Sequence, residues 1–338
     1  MKPAAMPRPV AEQRLLRVDP TRGGYSHHRI DELPALLLPG DLMVVNDAAT
    51  LPASLRIIGR DAEVRLVRRR ESDSEWTAVL LGKGDFRTPT EERPDPPPVL
   101  CGERLELEGG IVAWVTGVDP EEPRLVDLRF SLSGADLFRA LYRGARPVQY
   151  AYVARELELW DFQNRFAARP WALEMPSAGH FLTWELIMAL RARGVGLAHV
   201  THAAGISSTG SARLDRRFPL NERYEIGDAA VRRVLETKEK KGRVIAVGTT
   251  VVRALEASHA EHGQLTAGPG EARLLLGPGY RPGIVDGVLS GMHENTTSHF
   301  ALLEAFASGT LLRASLDAAE SAGYLQHEFG DATLVLGS

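Results

Sequence analysis

Arg243-Val244-Ile245-Ala246-Val247-Gly248-Thr249-Thr250-Val251-Val252-Arg253-Ala254-Leu255-Glu256 reads as a short buried strand that passes through one glycine straight into a helix. Strand-to-helix succession is the unit from which parallel α/β sheets are built. Working outward, the same alternation recurs. Helical spacing at 183–193 precedes the apolar run 196–201, helical 229–240 precedes 243–248, and the strand-like run 284–289 precedes helical 298–307. The chain closes on a further apolar strand, Ala332-Thr333-Leu334-Val335-Leu336. Upstream, Gly40-Asp41-Leu42-Met43-Val44-Val45-Asn46-Asp47 is a turn and a buried strand that delivers two polar residues at its end.

Between about 55 and 132 the period changes to two. Alternating runs at 62–67, 76–81, 104–107, 111–115 and 125–130, separated by turns, indicate a small β-barrel or sandwich. The proline-rich loop 88–98 between them belongs on the surface. The expected fold class is therefore α/β, a discontinuous, mainly parallel α/β domain (1–55 and 133–338) with an inserted small all-β barrel domain (56–132). The opening 1–14, with Pro3, Pro7 and Pro9, is expected to be an irregular arm.

Composition narrows the function. The 338 residues carry 40 Lys+Arg against 44 Asp+Glu, a formal charge of −4, so the chain lacks the basic excess of a protein that binds nucleic acid by bulk charge. Any RNA contact must be local. A single cysteine, Cys101, excludes a disulfide framework and a Cys-rich metal centre. No apolar run approaches the roughly 18 residues a membrane helix needs. The reading is a cytoplasmic protein with no membrane partner.

Three strand-to-helix turns carry polar residues. At Gly248-Thr249-Thr250, free backbone N–H groups and two hydroxyls would face a carboxylate or phosphate at the positive end of a helix, with a plain structural cap as the alternative. It is neither a Walker nor a Rossmann glycine pattern. The second turn is Glu174-Met175-Pro176-Ser177-Ala178-Gly179-His180-Phe181, and the third is Gly291-Met292-His293-Glu294-Asn295-Thr296-Thr297-Ser298. If the sheet is parallel, the three converge on the crevice where open α/β sheets bind ligands. The histidines form no paired ligand spacing, and no metal is expected.

These residues resemble a known family, the S-adenosylmethionine:tRNA ribosyltransferase-isomerases of queuosine biosynthesis. Pro39-Gly40-Asp41-Leu42 with Val45-Asn46-Asp47 and Leu51-Pro52-Ala53 is similar to PGDLLVxND…xIPA, and Pro176-Ser177-Ala178-Gly179 to PTAGLHF. The run 243–256 is close to RVIAVGTTSVRxLE. Pro278-Gly279-Tyr280…Val285-Asp286…His293 follows PGYxFxVVDxxxTNFH, and Phe329-Gly330-Asp331-Ala332 follows YGDAM. The resemblance implies an α/β domain with an inserted barrel. It also implies that the ribosyl group of S-adenosylmethionine, as co-substrate, is transferred to the aminomethyl group of a 7-deazaguanine in tRNA and isomerised, as adenine and methionine leave. The sulfonium acidifies the adjacent C5′ hydrogens, so a carboxylate or imidazole can start the reaction. Glu222, His293, Asp286 and Asp47 are the catalytic candidates, with Glu222 or His293 as base. Gly248, Thr249, Thr250, Ser177, Gly179, His180 and Asn46 are the candidates for binding the co-substrate.

The departures concern the acceptor. NDTRV reads Asn46-Asp47-Ala48-Ala49-Thr50, PAR reads Pro52-Ala53-Ser54, and HSEYxE reads Leu220-Asn221-Glu222-Arg223-Tyr224-Glu225. Positive groups that meet phosphate are missing, while the VGTT turn survives. Three readings follow: the tRNA enzyme, a paralogue that uses S-adenosylmethionine on a small-molecule acceptor or cleaves it, and a non-catalytic ligand- or RNA-binding relative.

Overall fold

The computed structural model describes residues 1–218 and 220–337; Pro219 and Ser338, both within the expected 133–338 segment, lie outside the described residues. In chain order the principal strands are β1 (Arg14–Asp19), β2 (Gly24–Arg29), β3 (Leu42–Asn46), β4 (Ser54–Arg56), β5 (Glu63–Arg69), β6 (Glu75–Leu81), β7 (Arg104–Leu107), β8 (Ile111–Val118), β9 (Leu125–Phe130), β10 (Gly196–His202), β11 (Glu222–Ile226), β12 (Val244–Val247), β13 (Gly268–Ala272), β14 (Gly287–Gly291) and β15 (Ala332–Leu336). The principal helices are α1 (Gly134–Gly144), α2 (Trp184–Ala192), α3 (Asp228–Glu239), α4 (Thr249–His262) and α5 (Gly309–Ser321).

Nine strands form one sheet in the order β13-β11-β10-β3-β12-β14-β15-β1-β2. Its centre, β10-β3-β12-β14, is parallel, and antiparallel pairs join β13, β11 and β2 at the flanks. The centre has no polar face because helices cover both sides. Val44, Val200, Ala246 and Val288 point to the side of α3, α4 and α5. Their neighbours Met43, Val45, Ile245 and Leu289 point to the side of α2, against Leu186, Ile187 and Leu190. Period-two alternation thus supplies two cores from one strand set.

The six strands β4 to β9 form the barrel, in the order β4-β5-β6-β9-β8-β7. The Ile58 N–H donates to the Glu106 carbonyl at 2.7 Å and brings the first strand's end against the last. Edge strands are thereby removed from solvent. The barrel's apolar cluster reaches beyond its own strands to Leu51, to Leu137 and Leu141 of α1, and to Leu173 and Ile206, which ties it to the nine-stranded sheet.

The opening segment differs from expectation. Lys2–Pro3 pairs in parallel with Leu325–Gln326, Ala4 is buried, and the terminal ammonium lies 2.7 Å from Glu320. Prolines keep the regular pieces there short, and tertiary partners fix the arm. The strand expected at 284–289 is Gly287–Gly291, and the helix expected at 298–307 stops at Leu303. Ile284 and Val285 are apolar because they are buried, not because they are paired; their N–H groups donate to the Glu256 carboxylate at 3.0 and 2.9 Å.

Candidate functional site

A cavity of about 480 Å³ opens at the carboxyl edge of the parallel strands, within the size range of small-molecule sites. All three polar turns reach it: Ser177 from the first, Gly248, Thr249 and Thr250 from the second, His293 and its neighbours from the third. Glu222 from the start of β11 completes the wall. The order β3-β12-β14 explains the convergence, because each parallel strand delivers its turn to the same edge.

Gly248 has φ +95°, a conformation other residues adopt only with strain, and a Cβ there would stand 3.4 Å from the Ala178 Cβ. It is the N-cap of α4 and offers no side-chain acceptor to the first N–H groups of that helix. Those groups point to the cavity with the helix dipole behind them. One turn on, Arg253 lies with its side chain 9% exposed. Its Nη2 donates to the Ala272 carbonyl at 2.9 Å and its Nη1 lies 3.1 Å from Glu222, while its Nε has no partner among the described residues.

Glu222 also accepts the Gly205 N–H at 2.7 Å. Burial raises its pKa, opposed by Arg253 and by that N–H. His202 is fully buried 3.5 Å from the same carboxylate, and burial together with Arg253 brings its pKa down to about 3, so its ring is neutral. His293 shares a 2.7 Å hydrogen bond with the Ser290 hydroxyl and stacks on His299, ring centroids 4.8 Å apart. Burial, then the nearby His299 and His327, hold His293 well below the usual imidazole range; burial and Arg253 bring His299 to about 4. A half-buried neutral imidazole at the cavity wall keeps a lone pair available for a proton.

The opposite wall is acidic. Glu174 Oε1 accepts from the Tyr150 hydroxyl and from the Ser207 N–H at 2.8 Å. Burial pushes this carboxyl up to about 7, and nearby Glu328 adds to the rise. Glu328 accepts in turn from the Tyr152 hydroxyl, and Tyr152 stacks on His327 with ring centroids 4.2 Å apart. Among the described residues no group of three His, Cys, Asp or Glu is placed to hold a metal ion, and no helix is long and apolar enough to cross a membrane.

The remaining sequence candidates do not line the cavity. Asn46 stands behind it; its Nδ2 donates to the His202 carbonyl at 3.0 Å and to the Thr250 hydroxyl at 3.3 Å, so it positions a lining residue. Asp47 accepts from the Thr201 hydroxyl at 2.5 Å, beside β10. Gly179 and His180 lie in the short helix Ser177–Phe181; a Cβ on Gly179 would meet Asn164 at 2.8 Å, and the His180 ring packs edge-on to Phe329. Asp286 is a correction. It precedes β14 and so stands at the opposite edge of the sheet, where it pairs with Lys238 at 2.7 Å and accepts the Val244 N–H.

Arg253, Glu174, His202 and His299 line or back the site without having been named as site candidates, although Glu174 and Arg253 fall within the turns read from the sequence. For Arg253 a signal was present, since it falls one turn after the Gly-Thr-Thr turn in a helix otherwise apolar at that point. Glu174, between Leu173 and Met175, carried the mark of a buried carboxylate.

A family model described as "Queuosine biosynthesis protein" matches residues 2–335. An S-adenosylmethionine:tRNA ribosyltransferase-isomerase of Acidiphilium cryptum is 36% identical over 97% of this chain and 93% of its own. One of Gloeobacter violaceus is 32% identical over 97% and 90%. Among solved structures, an S-adenosylmethionine tRNA ribosyltransferase from Thermotoga maritima is 24% identical and shares the fold, with a TM-score of 0.55 over 99% of this chain and 96% of that one. With its ordered turns gathered around one cavity and residues 2–335 matched, the chain belongs to the queuosine biosynthesis protein family.

Proposed function

We propose that this chain transfers and isomerises the ribosyl moiety of S-adenosylmethionine onto a 7-aminomethyl-7-deazaguanine of tRNA, releasing adenine and methionine, and that it works in the cytoplasm. The observation that carries the reading is the cavity's polarity. One wall holds an uncapped helix start and an Arg253 Nε with no partner, and the other holds Glu174 and Glu328. A zwitterionic sulfonium compound has charges of both signs and fits between them: its carboxylate toward Gly248, Thr249, Thr250 and Ser177, its cationic centre toward the carboxylates. Neutral His293, or Glu222 held at its far side by Arg253, then takes a C5′ proton made acidic by the sulfonium. The lost arginines at Ala49 and Ser54 keep a small-molecule acceptor as the second reading.

Two measurements test this. Thr249→Val with Thr250→Val is expected to weaken S-adenosylmethionine binding by about 1.5–3 kcal/mol, the worth of a hydrogen bond to a charged group, in calorimetry; an unchanged dissociation constant removes the placement. Incubation of the wild-type chain with tRNA and S-adenosylmethionine should release adenine and raise the intact mass of the tRNA. Adenine without a change in tRNA mass supports the small-molecule reading, and neither product supports a non-catalytic relative.

A further inference from the structure

Behind Glu222, on the far side of the loop at Ala203 from the cavity, a narrow groove runs along the seam between barrel and sheet. Arg68 and Arg69 at the end of β5 form one bank, and Trp171 and Arg223 the other. The Arg223 guanidinium lies over the Trp171 ring at 4.8 Å, and that of Arg169 at 5.9 Å. Arg69 is paired with Asp73 at 2.7 Å and Arg169 with Glu225 at 2.7 Å. Arg68 and Arg223 have no carboxylate within ion-pair distance among the described residues.

Three other cations are paired instead. Arg213 is met by Glu121 and Glu122 at 2.9 and 3.4 Å, Arg217 by Asp119 at 2.8 Å, and Lys238 by Asp286. Those three side chains are neutralised from within. Burial, then the charge of Arg69, makes it harder for Arg223 to hold its proton, and the more distant carboxylates of Asp73, Glu271 and Glu225 offset this only in part. Such crowding is relieved when a ligand brings negative charge.

We propose that this groove is a docking surface for the phosphodiester backbone of RNA, with Arg68 and Arg223 as its phosphate contacts and the Trp171 ring holding the Arg223 guanidinium in place. The occupant follows from charge and shape: Arg68, Arg69 and Arg223 outnumber Glu222 and Glu271 along the groove, Arg68 and Arg223 have no carboxylate at ion-pair distance among the described residues, and the groove shares Glu222 with the reaction cavity. RNA held there lies next to the site. The surface rests on the tRNA reading and deepens it, because it supplies local positive charge where Ala49 and Ser54 do not.

The test is a fluorescence titration of bulk unmodified tRNA with the full chain at several salt concentrations, beside calorimetry with S-adenosylmethionine. Arg68→Gln and Arg223→Gln should each lower the slope of log affinity against log salt by roughly one and weaken binding about tenfold near 0.1 M salt. Arg223→Lys should restore most of the slope, which a folding defect would not allow. Arg213→Gln should leave tRNA binding unchanged, and S-adenosylmethionine affinity should stay at the wild-type value in every variant. If the wild type binds and modifies tRNA while both glutamine variants keep its affinity and slope, the groove proposal falls and the enzyme reading stands. If the wild type releases adenine only with a small-molecule acceptor and binds no tRNA, both fall.

Discussion

Glu174 shows how a single side chain acquires a property from its surroundings. Its ordinary pKa near 4.5 rises to about 7 because burial disfavours the charged form and Glu328 adds repulsion, while Tyr150 and Ser207 only partly compensate. The folded state therefore holds a proton between pH 4.5 and 7 that the unfolded chain has released. By linkage, this group makes the fold less stable as pH rises through that window. Glu174→Gln, which keeps the shape and removes the charge, is expected to be more stable than the wild type at pH 8 by up to about 3 kcal/mol and nearly equal at pH 4.5. Urea denaturation at the two pH values checks this, and a constant difference would place the carboxyl at its ordinary value.

Within one element, β5 of the barrel, Glu63 and Arg65 alternate with the apolar Val64 and Leu66 yet are buried. Glu63 accepts from Arg65 Nε at 2.7 Å, Arg93 Nη1 at 2.9 Å and the Ser54 hydroxyl at 2.7 Å. Although burial alone would raise its pKa, the two guanidiniums hold it down to about 2. Removing one member of a buried ionic group leaves the others unpaired, so Glu63→Gln should cost about 3–5 kcal/mol in thermal or urea unfolding. A loss below about 1 kcal/mol would show that water solvates the guanidiniums. A strand that alternates charged and apolar residues is thus buried on both sides at Glu63 to Leu66, because the loop bearing Arg93 folds over it.

At the scale of the whole molecule, His202, His293 and His299 come from three segments and are all held neutral by burial. Each has its folded pKa below the unfolded value near 6.5, so each contributes stability that is present above pH 6.5 and is lost as pH falls toward 4. Glu174 works in the opposite sense over part of the range. From these four groups together the uptake on unfolding is about two protons near pH 5.5, so their contribution to the unfolding free energy should fall by roughly 2–3 kcal/mol per pH unit there. Denaturation midpoints measured from pH 7 to 5 check this, and a flat profile would mean that water reaches the rings.

Much of this architecture was legible in the residues themselves. The alternation of apolar strands with helices, the change to period two between 55 and 132, and the polar strand-to-helix turns are local properties, set by side-chain spacing and by the needs of Gly248. They determined an α/β fold with a barrel inserted, and the sheet edge at which the cavity opens. What lay beyond local spacing was decided by contacts between distant residues. The antiparallel flanks β11 and β13 carry no strong apolar period because they lie at the margin of the sheet. Asp286 matches a motif, yet it falls at the wrong end of its strand. Glu222 meets Arg253 and Gly205 only when β11 is laid beside β10, and the pKa of Glu174 exists only once Tyr150, Ser207 and Glu328 surround it. Spacing along a chain sets which face a side chain takes; charge, burial and partner depend on what the fold brings to that face.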